Sequence, residues 1–173
     1  MTPNPLNAAE VKLLYEEHGP ALAAYGCCCG LDFAAADDVV QQVFLKLLEG
    51  RVAMPEKPLA YLYRAVRNTS LNRRRDFRHE VEIHEEDSWL VKQDGNPEEA
   101  LAVQAALGDL PEEQRETVFL RVWSGMTLQE IAVVLEIPMN TVASRCRYAL
   151  DKLRERLQPA RNARGEYAGP RKR

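Results

Sequence analysis

The chain has 173 residues, of which 46% are hydrophobic and 28% charged, a balance typical of a folded protein and too apolar for a disordered one. Its net charge of −3 excludes a uniformly basic nucleic-acid-binding protein, but the charge is unevenly distributed. Residues 79–99 contain eight acidic residues and one lysine, whereas residues 159–173 contain five basic residues and one acidic residue.

The fold class follows from composition and periodicity. Strand signals are scarce and Ala, Leu, Glu, Arg and Gln are abundant, which predicts an all-α fold. Periodicity is lost in the acidic segment, so we expect two small helical domains, at residues 8–78 and 100–158. An acidic linker at 79–99 joins them, and a basic, disordered tail follows at 159–173. With no secretory signal and no run of roughly 18 apolar residues, we expect a cytoplasmic protein without membrane insertion.

Three helical patterns occupy residues 8–78. An apolar stripe at three- and four-residue spacing predicts the buried face of the second helix, formed by Val39, Val40, Val43, Phe44, Leu47 and Leu48. The third helix has a similar stripe of Leu59, Leu62, Tyr63 and Val66. Two prolines between Gly50 and Pro58 indicate a loop that separates these helices.

Three consecutive cysteines, Cys27 to Cys29, lie in the first pattern, and Cys146 is distant from them. On a helix their side chains point about 100° apart, so they do not converge on one metal ion. The spacing also does not resemble a disulfide framework. We interpret these residues as buried or half-buried small apolar side chains and predict no metal site.

The third helix continues into a stretch, Tyr61 to Arg75, that interleaves aromatic, amide and arginine side chains. Asn68 and Asn72 lie four residues apart and therefore on one face, with Arg64 and Arg75 close by. Arginines bind phosphates, and aromatic rings stack on unpaired bases. This composition favours a surface for partly single-stranded DNA, with a solvated basic helix end as the alternative.

The second domain contains the pattern of a helix-turn-helix. Pro111 at the first helical position and the acids that follow it predict a helix buried through Val118, Phe119, Val122 and Trp123 and stopped by Gly125. Thr127-Leu-Gln-Glu130 fits a capping box before a short amphipathic helix. After a turn at Glu136-Ile-Pro138, a long helix is predicted from about Met139 to Leu157.

The long helix has an apolar and a polar side. We expect its core side to consist of Val142, Cys146, Ala149, Leu150, Leu153 and Leu157. The opposite side presents Asn140, Ser144, Arg147 and Tyr148, flanked by Thr141 and Arg145. Because Asp151 and Glu155 further along would repel phosphate, the helix should enter the major groove by its N-terminal end. The alternative is an ordinary helical hairpin with a solvated face.

Several motifs follow one another along the chain, at Ala36–Leu48, Ala60–Asn68, Leu110–Glu116, Met126–Ala132 and Asn140–Arg145. In this order they resemble the extracytoplasmic-function sigma factors of the sigma-70 family. The resemblance implies an alternative sigma factor, without enzymatic activity or cofactor, that binds RNA polymerase core enzyme. Such a protein directs promoter-specific initiation, including promoter opening, and an anti-sigma factor is an expected partner.

The resemblance also implies roles for matched positions. Residues 8–78 would be region 2 and residues 100–158 region 4. Core-polymerase binding would fall to Asp38, Gln41, Gln42 and Phe44. The melted minus-ten element would contact Tyr61, Arg64, Asn68, Asn72, Arg73, Arg74 and Arg75. The minus-thirty-five element would contact the helix that contains Asn140, Thr141, Ser144, Arg145, Arg147 and Tyr148. Glu136 stands where the family often has glycine, so a positive φ there would strain the turn by roughly 1 kcal/mol.

Two other functions fit parts of the pattern. A stand-alone helix-turn-helix regulator would need its own dimerisation or ligand domain, which residues 8–78 do not suggest. A protein-interaction or thiol-sensing module would use the cysteine cluster and retain the helix-turn-helix only as a vestige. We find no catalytic constellation, since His18, His79 and His84 lack the spacing of a triad or metal site with nearby carboxylates.

Overall fold

A computed structural model describes residues 7–50, 57–76 and 97–164. Within these ranges the chain forms seven α-helices and no strand, which confirms the all-α prediction. The helices are α1 (Ala8–Cys28), α2 (Phe33–Leu48), α3 (Pro58–Asp76), α4 (Pro97–Gly108), α5 (Glu112–Val122), α6 (Leu128–Leu135) and α7 (Met139–Arg164). None of the helices in the described ranges is both long enough and apolar enough to cross a membrane.

Helices α1 to α3 form the N-terminal lobe. Asn7 and Asp32 cap α1 and α2 by accepting hydrogen bonds from backbone N–H groups. The predicted stripe of α2 is buried except for Leu48, which is 49% exposed. The prediction for Leu48 is wrong because this residue lines an open cleft between α1 and α2 instead of the core. In the stripe of α3, Leu62, Tyr63 and Val66 are buried as predicted, and Leu59 is half-buried.

Helices α4 to α7 form the C-terminal lobe. Leu107, Leu110 and Val118 pack against Ala149 and Leu153 of α7. Two side chains expected in this core are exposed: Leu150 on α7, and Val122 on α5 at 55%. Helix α5 instead buries Glu116, Thr117 and Leu120 together with Val118 and Phe119. The buried face of α5 is therefore rotated from the predicted one. The reason is that a second surface, outside the C-terminal lobe, also packs against this helix.

That second surface is the N-terminal lobe. One continuous apolar cluster includes Tyr25 and Tyr63 from the first lobe and Phe119, Leu120 and Ile131 from the second. The rings of Tyr25 and Phe119 have centroids 5.6 Å apart. The sequence predicted two helical bodies on a tether but did not predict that they pack against each other. Each lobe is small, and burial of apolar surface between them compensates for the limited core of each.

The domain boundaries differ slightly from those expected. Helix α4 begins at Pro97, within the segment predicted as linker, and α5 begins at Glu112, one residue after Pro111, which is its N-cap. Helix α7 continues to Arg164, past the predicted end at Leu157 and into the segment predicted as a tail. Most of the acidic linker, the centre of the Gly50–Pro58 loop and residues 165–173 lie outside the described residues.

Candidate nucleic-acid interfaces

The helix-turn-helix is formed by α6 and α7. The Thr127 backbone N–H donates to Glu130 Oε2 at 2.9 Å, and the Glu130 N–H donates to Thr127 Oγ1 at 3.2 Å, which confirms the predicted capping box. The hydrogen bond from the Thr127 backbone, followed by that from its hydroxyl, lowers the pKa of Glu130. Glu136 ends α6 in the left-handed conformation, with φ 56° and ψ 41°, as the turn required.

Helix α7 presents its first turns to solvent. Asn140, Arg147 and Tyr148 are exposed, and the Arg147 guanidinium carbon lies 5.1 Å from the centre of the Tyr148 ring. The other three predicted contacts, Thr141, Ser144 and Arg145, are half-buried. The Ser144 hydroxyl donates to the Thr141 carbonyl at 3.0 Å, and Arg145 pairs with Glu113 of α5 at 3.4 Å.

The outer face of α3 contains both predicted amides. Asn68 and Asn72 are exposed together with Arg64 and Arg75, and Tyr61 is half-buried at the same face. Arg75 Nη2 donates to Asn72 Oδ1 at 3.3 Å, which links an arginine to an amide within the proposed site. The helix therefore places amide, cationic and aromatic groups on one solvent-accessible surface.

Arg73 and Arg74 lie off this face and have partners in the protein. Arg73 pairs with Asp38 of α2 at 3.2 Å. Arg74 Nη1 donates to the Cys29 carbonyl at 2.9 Å and its Nη2 to Glu112 of α5 at 3.0 Å. Gly30 permits this approach, because a Cβ there would lie 2.8 Å from Arg74 Nη1 and the backbone has a φ of +92°.

The predicted polymerase-binding residues occupy α2. Asp38, Gln41 and Gln42 are exposed, and Gln41 Nε2 donates to Asp37 Oδ2 at 2.8 Å. Phe44 is only 4% exposed and contacts the edge of the Tyr15 ring at a centroid distance of 5.2 Å. Phe44 therefore forms the floor of a cleft of about 300 Å³ that Leu45 and Leu48 border.

A row of ion pairs crosses the contact between the lobes. Its basic members are Lys57, Arg64, Arg67 and Arg74, and their acidic partners are Glu130, Glu136, Glu116 and Glu112 respectively. Every basic group belongs to the N-terminal lobe and every acidic group to the C-terminal lobe. Arg64, Arg67 and Arg74 recur at intervals of three and seven residues, which places them on one side of α3, and Lys57 lies seven residues before Arg64, just ahead of the helix. This spacing is visible in the sequence, but the pairing between the lobes was not predicted from it.

Arg67 and Glu116 form the most buried of these pairs. Arg67 Nε lies 3.1 Å from Glu116 Oε1 and its Nη2 lies 3.2 Å from Oε2, a two-pronged arrangement. The two side chains are 22% and 3% exposed. Burial lowers and the Glu116 carboxylate raises the pKa of Arg67, with a net upward direction. Neither residue was among the predicted site residues.

The cysteine cluster adjoins this pair. Cys28 and Cys29 are buried and Cys27 is half-buried, as predicted for small apolar side chains. The Cys29 thiol donates to Glu116 Oε1 at 3.3 Å, and burial, followed by the nearby carboxylate, raises the pKa of Cys29. In the part of the chain that the structure describes, no group of three or more His, Cys, Asp or Glu residues is arranged to hold a metal ion.

Comparisons with known proteins identify the family of both lobes. The family model for sigma-70 region 2 matches residues 14–80, and that for sigma-70 region 4 matches residues 100–153. The chain is 31% identical to the ECF RNA polymerase sigma factor SigL of Mycobacterium tuberculosis over 162 residues, covering 87% of this chain and 90% of that protein. It is 29% identical to the ECF RNA polymerase sigma-E factor of Escherichia coli over 140 residues, covering 70% and 73%.

Solved structures show the same helical architecture. The sigma factor RpoE in complex with the anti-sigma factor NepR from Bartonella quintana has a TM-score of 0.67 at 22% identity, covering 87% of this chain and 98% of that one. CnrH in complex with the cytosolic domain of CnrY has a TM-score of 0.62 at 27% identity, covering 87% and 89%. The first of these likenesses concerns the fold alone.

Proposed function

The chain belongs to the extracytoplasmic-function sigma factors of the sigma-70 family, and on this premise we propose how its two lobes share the work of promoter recognition. It is an alternative sigma factor that directs RNA polymerase to promoters. The observation that supports this function best is the ordered match to regions 2 and 4 within one chain that also aligns with 90% of a sigma-factor relative.

The α2 surface is proposed to bind the polymerase core. Asp38, Gln41 and Gln42 offer polar contacts, while Leu45 and Leu48 offer apolar ones at 55% and 49% exposure. A cleft bordered by exposed leucines and a polar rim suits an amphipathic helix, such as one helix of the clamp coiled coil that the family resemblance implies. Because Phe44 is buried at the bottom of this cleft, it offers polymerase little surface and mainly holds the cleft in shape.

The exposed face of α3 is proposed to hold the melted minus-ten element. Asn68 and Asn72 can form hydrogen bonds with the edges of unpaired bases, Arg64 and Arg75 can bind phosphates, and Tyr61 can stack on a base. Stacking at roughly 1–3 kcal/mol per base offsets the few kcal/mol needed to take a base out of the duplex. Binding energy at this surface would therefore favour strand opening without any chemical step by the sigma factor.

The first turns of α7 are proposed to read the minus-thirty-five element in the major groove. Asn140, Arg147 and Tyr148 are the exposed members of the predicted set and are therefore the first candidates for base-edge contacts. The positive end of the helix dipole favours the approach of phosphate to this terminus. Thr141 and Ser144 lie deeper in the same turns, and Arg145 can reach phosphate only by leaving Glu113.

An anti-sigma factor is a proposed partner, because the similar structure of CnrH is a complex with the cytosolic domain of CnrY. The exposed leucines of α2 would give such a partner an apolar surface that overlaps the polymerase-binding cleft. We further infer that the protein acts in the cytoplasm, where RNA polymerase and promoter DNA are found.

The proposal is tested by reconstituting the full chain with core RNA polymerase and mapping transcript starts genome-wide. The double change Asn68→Ala, Asn72→Ala should abolish promoter opening, measured by permanganate reactivity of unpaired thymines, and leave core binding intact. The double change Ser144→Ala, Arg147→Ala is the reciprocal control and should alter upstream-element preference without impairing core binding.

Three outcomes would contradict the proposal. Equal loss of core binding and promoter opening in the Asn68/Asn72 variant would remove the minus-ten assignment. Unchanged promoter selectivity in the Ser144/Arg147 variant would remove the minus-thirty-five assignment. DNA binding by the chain alone, with no association with polymerase, would favour a stand-alone helix-turn-helix regulator.

A further inference from the structure

One glutamate of α5 faces the DNA-reading helix instead of the N-terminal lobe. Glu112 and Glu116 pair with arginines of α3, whereas Glu113 pairs with Arg145 of α7 at 3.4 Å. The Glu113 side chain is 68% exposed, so its charge lies at the surface of the helix-turn-helix. The first turn of α7 contains no acidic residue of its own. Glu113 is therefore a negative charge that the fold brings to the edge of the proposed upstream-element surface.

Glu113 is held in this position by its own helix. It lies in the first turn of α5, where a carboxylate interacts favourably with the positive end of the helix dipole. Helices α5 and α7 share an apolar core that includes Val118 and Ala149, and this packing keeps the start of α5 beside α7. Neither interaction depends on Arg145. The carboxylate therefore stays near this arginine whether or not DNA is present.

The two arginines of the proposed upstream-element surface are held differently. The Arg145 side chain is 25% exposed and pairs with Glu113. Arg147 is exposed, and its guanidinium carbon lies 5.1 Å from the centre of the Tyr148 ring, a contact that does not neutralise its charge. Arg147 is therefore ready to bind DNA, whereas Arg145 must first leave a carboxylate.

The pair between Glu113 and Arg145 is weak enough for DNA to compete with it. Its separation of 3.4 Å exceeds the roughly 2.7–2.9 Å of a charge-assisted hydrogen bond. An ion pair at a protein surface changes an equilibrium by about fivefold at most. A phosphate that binds Arg145 must break this pair, so its affinity for the arginine is lowered by that factor or less. The reduction applies to every DNA sequence, because phosphate contacts carry no sequence information.

We propose that Glu113 limits the sequence-independent part of upstream-element binding by restraining Arg145, so that recognition depends on base contacts from Arg147 and its neighbours. Glu113 acts only through Arg145 and does not contact the bases. The inference rests on the proposed role of α7 in reading the minus-thirty-five element. Its consequence is promoter discrimination, because with weak phosphate contacts a mismatched upstream element stays unbound at holoenzyme concentrations that occupy a matched one.

Glu113→Gln tests the restraint in holoenzyme reconstituted from the full chain and core RNA polymerase. Binding is measured on two duplexes of a promoter found by transcript mapping, which differ by one base pair in the upstream element. The variant should bind both duplexes about 1.5- to fivefold more tightly and leave the ratio between them unchanged. The slope of log K against log salt should steepen by up to about 0.9, the value for one added phosphate contact.

Asp109→Asn is the matched control. It removes one negative charge from the same lobe and frees Arg156 of α7, which pairs with Asp109 at 2.8 Å in the unaltered chain. Arg156 lies about 16 Å along the helix from Arg145, away from the turns proposed to face DNA. This variant should change neither the affinities nor the salt slope. A gain equal to that of Glu113→Gln would overturn the proposal, because it would then come from net charge.

Arg145→Gln shows whether Glu113 acts through this arginine. The double variant Glu113→Gln, Arg145→Gln should bind both duplexes like Arg145→Gln alone, with the whole gain removed. A double variant that keeps the gain would mean that Glu113 repels DNA directly. Tighter binding of the matched duplex alone would mean that Arg145 reads a base. Either result, or weaker binding by Glu113→Gln, overturns the proposal.

The same holoenzyme assay separates this inference from the assignment on which it depends. If Glu113→Gln changes neither affinity nor salt slope while Ser144→Ala, Arg147→Ala alters upstream-element preference, the restraint is refuted and the assignment stands. If the Ser144/Arg147 variant leaves that preference unchanged, the minus-thirty-five assignment fails, and the inference fails with it.

Discussion

Substitution of Glu136 separates two opposing contributions to stability at the turn of the helix-turn-helix. Its left-handed backbone, with φ 56°, costs a non-glycine residue about 1 kcal/mol. Its carboxylate pairs with Arg64, but the two side chains are 56% and 45% exposed, so the pair contributes about 0.2–1 kcal/mol. Glu136→Gln keeps the backbone strain and loses the pair, whereas Glu136→Gly loses both.

We therefore expect the glycine variant to be about 1 kcal/mol more stable than the glutamine variant, and close to the unaltered chain. For a chain of this size that difference corresponds to about 2–4 °C in Tm, which calorimetry and urea unfolding can resolve. The gap should persist in an Arg64→Gln background, because strain does not depend on the ion pair. Equal stabilities of the two variants, or a gap that vanishes in that background, would refute the reasoning.

Three further predictions concern single residues. Thr127→Ala should cost about 1 kcal/mol at neutral pH. The Thr127 hydroxyl is the second cause, after the Thr127 backbone N–H, of the lowered pKa of Glu130. The part of the contribution that comes from the hydroxyl's bond to the carboxylate is therefore present above the unfolded-state pKa and lost as pH falls through the folded-state value. The bond that the hydroxyl accepts from the Glu130 N–H does not titrate, so the difference between the acid unfolding curves of variant and unaltered chain should narrow without closing. Phe44→Ala should cost about 3–5 kcal/mol in urea unfolding, whereas Leu45→Ala should change stability by less than about 0.5 kcal/mol and weaken core binding in a pull-down. Gly30→Ala should lower Tm by the equivalent of about 1 kcal/mol, since its φ is positive.

Features that depend on local sequence were predictable. The capping box at Thr127, the left-handed turn at Glu136 and the start of α7 at Met139 follow from short-range hydrogen bonding and steric limits. The exposed amides of α3 follow from helical periodicity, which places Asn68 and Asn72 on one face whatever the lobe packs against. Their contact with DNA stays a prediction until promoter opening is measured.

Features that depend on the second lobe were not predictable. Val122 and Glu116 illustrate this, since an apolar residue is exposed and a charged one is buried on the same helix. A periodicity argument orients α5 against one core, but this helix packs between its own lobe and α1. The sequence separation between Arg67 and Glu116 is 49 residues, and no local rule relates two such positions.

The glutamates of α5 show why the ion pairs between the lobes could not be predicted from the sequence. Glu112 lies in the first turn, where an acid stabilises the helix dipole, so its presence is explained locally and does not indicate its pairing with Arg74. Glu116 lies beyond that turn and has no such explanation. A carboxylate that is 3% exposed requires a charged partner, because its removal from water is otherwise too costly. Glu116 is thus the position that local sequence rules do not explain. Its partner, Arg67, shows that the C-terminal lobe packs against α3.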